Sequence, residues 1–158
     1  MLYKKPIDFV YNILELSSID FVNTQKGILF FCNNNYGTSI TAYSTIDSGT
    51  TWKQSNVGGS GGTSPFEIVR INEDVVLVYF KKRFHDNQNS FYITRDGGMN
   101  WERKIINPNS KEKGFCNTMK IDFDTKGKII VLCTYKNDKG EDIGTQKFIS
   151  TDFGKTFK

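Results

Sequence analysis

The sequence predicts an all-β fold made of three successive four-stranded antiparallel sheets. Two repeats carry that prediction. An octet of the form Ser/Thr-x-Asp-x-Gly-x-x-aromatic occurs three times without gaps, at Thr45–Trp52, Thr94–Trp101 and Ser150–Phe157. The apolar runs before each octet recur in the same order. Composition agrees: 14% of the 158 residues are aromatic, and aromatic side chains favour pleated, half-buried surfaces. The octet aspartates Asp47, Asp96 and Asp152 lie 49 and 56 residues apart. That is near the roughly 40 to 50 residues of architectures with one small sheet per repeat.

Each repeat reads as a meander. An innermost strand comes first, at Ile19–Val22, Phe66–Ile71 and Met119–Phe123. Short polar turns follow at 23–27, 72–74 and 124–127. The second strands, Ile28–Cys32, Val75–Phe80 and Ile129–Tyr135, are continuous apolar runs, as expected of strands buried on both faces. The third strands are Ile40–Tyr43, Phe91–Ile93 and Lys147–Ile149. The octet then turns the chain into an outermost strand, Trp52–Val57 in the first repeat and Trp101–Ile106 in the second. The repeats span about 19–57, 65–107 and 118–158 within one segment, 1–158. Helical periodicity is weak, and Tyr11–Leu16 is the one short candidate.

The octet has a structural chemistry. A short carboxylate accepts hydrogen bonds from backbone N–H groups of its own turn. The glycine two residues later tolerates positive φ. The Ser/Thr hydroxyl bonds the turn backbone, and the aromatic packs beneath it. This reading makes Thr45, Asp47, Gly49, Trp52, Thr94, Asp96, Gly98, Trp101, Ser150, Asp152, Gly154 and Phe157 structural.

Three such octets in phase with sheet repeats resemble the Asp boxes, or BNR repeats, of the sialidase-like superfamily. The resemblance covers about residues 19–158. It implies β-propeller blades with the boxes on the face opposite the ligand site. The chain then supplies half of a six-bladed propeller, closed by dimerisation or by the rest of a longer chain. Sialidases bind a substrate carboxylate with three arginines, use a tyrosine assisted by a glutamate as nucleophile, and an aspartate as acid/base. Their early Phe/Tyr-Arg-Ile-Pro motif is absent here: Pro6-Ile7 follows Lys5, and no arginine precedes Arg70. The resemblance therefore points to a non-catalytic glycan-binding or scaffolding module, with a carbohydrate-cleaving glycoside hydrolase as the alternative. No catalytic residue is assigned.

Ligand contacts are expected on the loops between second and third strands and between repeats. The candidates are Tyr36, Arg70, Arg83, Phe84, His85 and Asp86. Arg83 can hold a carboxylate, Phe84 can stack on a sugar face, and His85 or Asp86 can move protons. Gly58–Ser64 lacks the Gly-Lys-Ser/Thr ending of a phosphate cradle and reads as a flexible loop, or a lid. Asn137–Asp142 is rich in oxygen donors but lacks EF-hand spacing, leaving calcium a minor alternative.

Composition bounds the partners. The net charge of +4 comes from scattered lysines rather than one basic face, so nucleic acid is not expected. His85 is the only histidine, and Cys32, Cys116 and Cys133 form no C-x-x-C pair. No metal and no cofactor are expected, and the thiols are read as reduced. Asp8, Asn12 and Glu15 interrupt the apolar N-terminus, so neither a signal peptide nor a membrane segment is read. Localisation is otherwise unassigned. The third octet ends at Phe157 with almost nothing after it for an outermost strand. The expectation is therefore a homodimer in which the N-terminal segment of one chain completes the third sheet of the other.

Overall fold

The computed structural model describes residues 15–33, 39–59, 66–80, 90–106, 115–124, 126–137 and 139–158. Among them the chain is all strand and turn. Blade one is β1 (Glu15–Phe21), β2 (Gly27–Asn33), β3 (Ser39–Thr45) and β4 (Lys53–Gly59). Blade two is β5 (Phe66–Arg70), β6 (Val76–Phe80), β7 (Ser90–Thr94) and β8 (Glu102–Ile105). Blade three is β9 (Phe115–Phe123), β10 (Ile129–Lys136) and β11 (Asp142–Ser150). Each sheet is an antiparallel meander in which chain neighbours pair. The helical candidate is corrected where it is described: Glu15 and Leu16 belong to β1, with Leu16 opposite Phe31. Its remaining residues lie outside the described ones.

One sequence device fixes the first turn of every blade. Asn23 Oδ1 accepts the N–H groups of Gln25 and Lys26, each at 2.8 Å. Asn72 does the same for Asp74 and Val75, and Asp124 for Lys126 and Lys128. These turns also hold the octets. The N–H groups of Ser48, Gly97 and Phe153 donate to the carbonyls of Gln25, Asp74 and Gly127, at 3.0, 2.9 and 3.1 Å.

Strand alternation gives each blade two faces. One carries an isoleucine, an aliphatic and an aromatic side by side across its first three strands. These rows are Ile19–Leu29–Tyr43, Ile68–Val78–Tyr92 and Ile121–Val131–Phe148. The opposite face carries Asp20–Ile28–Ser44, Val69–Leu77–Ile93 and Asp122–Ile130–Ile149. Two cores result. Between blades one and two, Ile28, Phe30, Ile40 and Ala42 meet Val76, Val78, Phe80 and Tyr92. Between blades two and three, Leu77, Tyr79, Phe91 and Ile93 meet Ile129, Val131, Cys133 and Phe148.

Other contacts fix these interfaces. Arg70 pairs with Asp20 at 2.7 Å, and Lys26 reaches Glu73 and Asp74. Ser55 Oγ donates to the Gly98 carbonyl at 2.9 Å. The start of the glycine-rich stretch is a close-approach device: at Gly58, with φ 138°, an added Cβ would meet the Tyr92 ring. The Gly59 N–H donates to the Tyr92 hydroxyl at 3.3 Å. The rest of that stretch, Ser60–Ser64, lies outside the described residues.

One expectation changes. β10 is not buried on both faces: Ile129, Val131, Cys133 and Tyr135 are buried, while Ile130, Leu132, Thr134 and Lys136 are half-exposed. Among the described residues no further sheet lies on that side. Cys32 and Cys133, both buried free thiols, are not structurally equivalent. Ile28 and Ile130 occupy matching rows, so Thr134 matches Cys32 and Phe31 matches Cys133. Cys32 lies four residues after Ile28 and Cys133 three after Ile130, which turns the two side chains to opposite faces.

Candidate functional site

The three octets adopt one geometry. The Thr51, Asn100 and Thr156 N–H groups donate to Oδ1 of Asp47, Asp96 and Asp152, at 2.9, 2.9 and 3.0 Å. The side chains of the same three residues donate to Oδ2, at 2.6, 2.7 and 2.6 Å. The Thr45, Thr94 and Ser150 hydroxyls donate to Oδ1 and accept the N–H of Gly49, Gly98 and Gly154. Trp52 and Trp101 close their turns by donating Nε1–H to the Gly49 and Gly98 carbonyls. Phe157, which has no such donor, stacks edge-on against Phe91 at 5.5 Å.

These bonds hold all three carboxyls below the ordinary aspartate range. Thr51 is the main cause at Asp47 and Thr156 at Asp152. At Asp96 partial burial acts the other way, and the bonds from Asn100 and Thr94 outweigh it. The carboxylates are thus filled acceptors inside their own turns. Thr51, Asn100 and Thr156 are the residues that the octet pattern omitted. All three are short side chains with a donor at the seventh position, which was the available signal.

Arg70 is the one ligand candidate among the described residues. It ends β5 opposite Val76, at the other end of β6 from Phe80, where the chain leaves for residues 81–89. Its guanidinium donates to Asp20 and to the carbonyls of Asn72 and Glu73. It therefore sits at the octet end of the blade. Tyr36, Arg83, Phe84, His85 and Asp86 lie outside the described residues. Arg95 clasps the third octet, donating to the Phe153 and Gly154 carbonyls and pairing with Glu102 at 2.8 Å. Arg103 Nε donates to Ser90 Oγ at 2.9 Å.

The structure also joins a tyrosine to a glutamate. Tyr79 and Glu67 face each other across β5 and β6, and the hydroxyl donates to Oε2. Their placement was legible, because they stand equally far from the centre of the Asn72–Asp74 turn. Tyr79 is 3% exposed and belongs to the core between blades two and three. Burial, then the bonded carboxylate, push its hydroxyl well above the usual tyrosine range. Such a phenol is a donor and packing group, and a poor nucleophile.

One oxygen-rich feature is also internally satisfied. Asn137 Oδ1 accepts the N–H of Lys139 and Glu141, and its Nδ2 donates to Glu141. Among the described residues no group of three or more His, Cys, Asp or Glu side chains can hold a metal ion. No helix among them is long and apolar enough to cross a membrane.

The three meanders are closed by octets of one shared hydrogen-bond geometry. Residues 92–103, from β7 through the second octet into β8, match the BNR/Asp-box repeat family. No curated protein matches the chain.

Proposed function

We propose that the protein is a non-catalytic, sialidase-like binding module that engages a glycan through loops at the end of the blades opposite the octets. The observation that carries this reading is the employment of the arginines. The chain has four, and Arg70, Arg95 and Arg103 are bonded to side chains or carbonyls of the fold. A three-arginine carboxylate clamp from one chain is incompatible with those contacts. The sealed, hard-to-ionise Tyr79 gives further support. Arg83, next to Phe84 in the sequence, is the arginine outside those contacts, and the Phe84 ring is suited to stacking on a sugar.

The test is a glycan array run alongside turnover assays with fluorogenic glycosides. Saturable binding that Arg83→Ala and Phe84→Ala each weaken at least tenfold, without turnover, is expected. Turnover would establish the hydrolase alternative, and failure to bind any glycan would reject the module reading.

A further inference from the structure

The second octet contains the chain's one Asp-Gly pair, Asp96–Gly97, and the sequence holds no Asn-Gly. An amide nitrogen that follows an aspartate can attack the side-chain carbon Cγ. Glycine, lacking Cβ, leaves that approach open. Among the described residues, the nearest atom to a Cβ built at Gly97 is the Glu73 carbonyl oxygen, 3.8 Å away. Asp96 itself is exposed to solvent.

The octet withholds both reacting groups. The Gly97 N–H donates to the Asp74 carbonyl at 2.9 Å. The Asp96 carboxyl is a filled acceptor: Oδ1 takes the Thr94 hydroxyl at 2.8 Å and the Asn100 N–H at 2.9 Å, and Oδ2 takes Asn100 Nδ2 at 2.7 Å. These bonds keep the group ionised, and an ionised carboxylate has no hydroxyl to release. Attack by Gly97 therefore needs an open turn, with the N–H freed from Asp74 and the carboxyl freed from Thr94 and Asn100.

The other octets supply internal controls. Asp47 is followed by Ser48 and Asp152 by Phe153, at φ 61° and 55° against 69° for Gly97. The backbone is the same, so the side chain after the aspartate is what differs.

We propose that Asp96–Gly97 is a latent isomerisation site, shut by the folded octet and exposed whenever blade two opens. In the open turn the Gly97 nitrogen bonds to Cγ of the protonated Asp96 carboxyl. The nitrogen's proton leaves with the carboxyl hydroxyl as water, and a five-membered succinimide closes. Water then adds to the former main-chain carbonyl carbon of Asp96 and breaks its bond to nitrogen. That carbon becomes a carboxylate, and the main chain now runs through Cβ and Cγ. One water is lost and one gained, so mass is unchanged and nothing is oxidised or reduced.

The product cannot rebuild the octet. Its main chain is one carbon longer, and its carboxylate sits directly on Cα, one carbon short of its bonds to Thr94 and Asn100. The added carbon also displaces Gly98, whose N–H donates to the Thr94 hydroxyl at 2.9 Å. Arg95, the preceding residue, holds the Phe153 and Gly154 carbonyls of blade three. One conversion thus undoes the second octet and loosens the seam between blades two and three, leaving a lasting record that blade two has opened.

The test incubates the chain with and without urea at about pH 5, where an ordinary aspartate keeps some of its protons. Peptide mapping then reads isoaspartate at residue 96 as a shifted peptide of unchanged mass. It should accumulate at least about tenfold faster in urea, because the reaction proceeds through the open form. Asp47 and Asp152 should convert more slowly than Asp96 in the same urea samples. Asn100→Ala, which removes the donor to Oδ2, should raise the folded-state rate about threefold to thirtyfold and leave the rate in urea unchanged. Gly97→Ser should lower the rate in urea to that of Asp47. Equal rates for the wild-type chain in the two conditions overturn the proposal. So does a lack of isoaspartate at residue 96 in urea, or a folded Asn100→Ala chain that keeps the wild-type rate. Should Asn100→Ala fail to fold, the wild-type comparison and Gly97→Ser decide.

Discussion

Blades two and three have the same topology in their first three strands, yet they bury those strands differently. β6 and β7 are buried at every position. β10 alternates between buried and half-exposed, and β11 is buried only at Phe148 and Ser150. Blade two is flanked on both sides, and blade three on one among the described residues. In blade three, Lys147 stands in the row position of Phe91, so the third blade carries a charge where the second carries a buried ring.

The sharpest way to break this contrast is to truncate leucines at matching rows. Leu77→Ala, at a fully buried position, should cost about 2 to 5 kcal/mol. Leu132→Ala on the outward face of β10 should cost under about 1 kcal/mol in a single chain, because little area leaves water there. Urea denaturation of both variants tests the pair. Equal losses would show that blade three is as enclosed as blade two.

The octet glycines extend the contrast. At Gly98, with φ 93°, an added Cβ would collide with Ser44 Oγ in the neighbouring blade. At Gly49, with φ 81°, the nearest atom would be in its own Trp52, at 3.3 Å. Both alanine variants meet the left-handed penalty of about 1 to 2 kcal/mol. Gly98→Ala should lose a further 1 to 3 kcal/mol, roughly, from overpacking, seen as the larger fall in Tm.

Acid should act on all three blades alike. The aspartates hold their carboxyls below the ordinary value of 3.8. A depressed folded value stabilises above the unfolded value and loses that contribution as pH falls through the folded one. Tm should therefore hold down to about pH 4 and drop below it. Asp96→Asn should cost about 1 kcal/mol at about pH 7, and progressively less as pH falls below the ordinary 3.8. A penalty independent of pH would mean that the carboxylate charge is not what the turn binds.

The smallest effect concerns Ser48, which adopts φ 61° where the second octet has Gly97 at 69°. Ser48→Gly should raise stability by up to about 1 kcal/mol. Phe153, at φ 55°, should not gain, because its ring packs against the core between blades two and three.

Most of the fold was legible because the repeats were redundant. Octets, apolar runs and polar turns marked three meanders without reference to distant contacts. What escaped depended on neighbours in space. The half-exposure of β10 could not be read from Ile129–Tyr135, whose apolarity matches that of β6. That Cys32 and Cys133 fall on opposite faces needed cross-strand register. Arg70 looked like a ligand residue until Asp20, fifty positions earlier, was seen to hold it. The octet carboxylates were legible as turn acceptors from their spacing. Thr51, Asn100 and Thr156 were not, because their identities differ while their donated bonds are the same.

Because each strand pairs only with the strands next to it in the chain, assembly needs few long loop closures. A sheet can form as soon as its last strand has left the ribosome, before the next is synthesised, and sequence-local pairing of this kind favours rapid folding. Blade two would then be born onto a finished blade one, with Ile28, Phe30 and Ile40 already arrayed as a template. Errors in such a sequential process should concentrate at the growing end, where an unfinished sheet exposes its ladder. Ribosome-stalled chains ending near residue 107 would already hold a protease-resistant pair of blades.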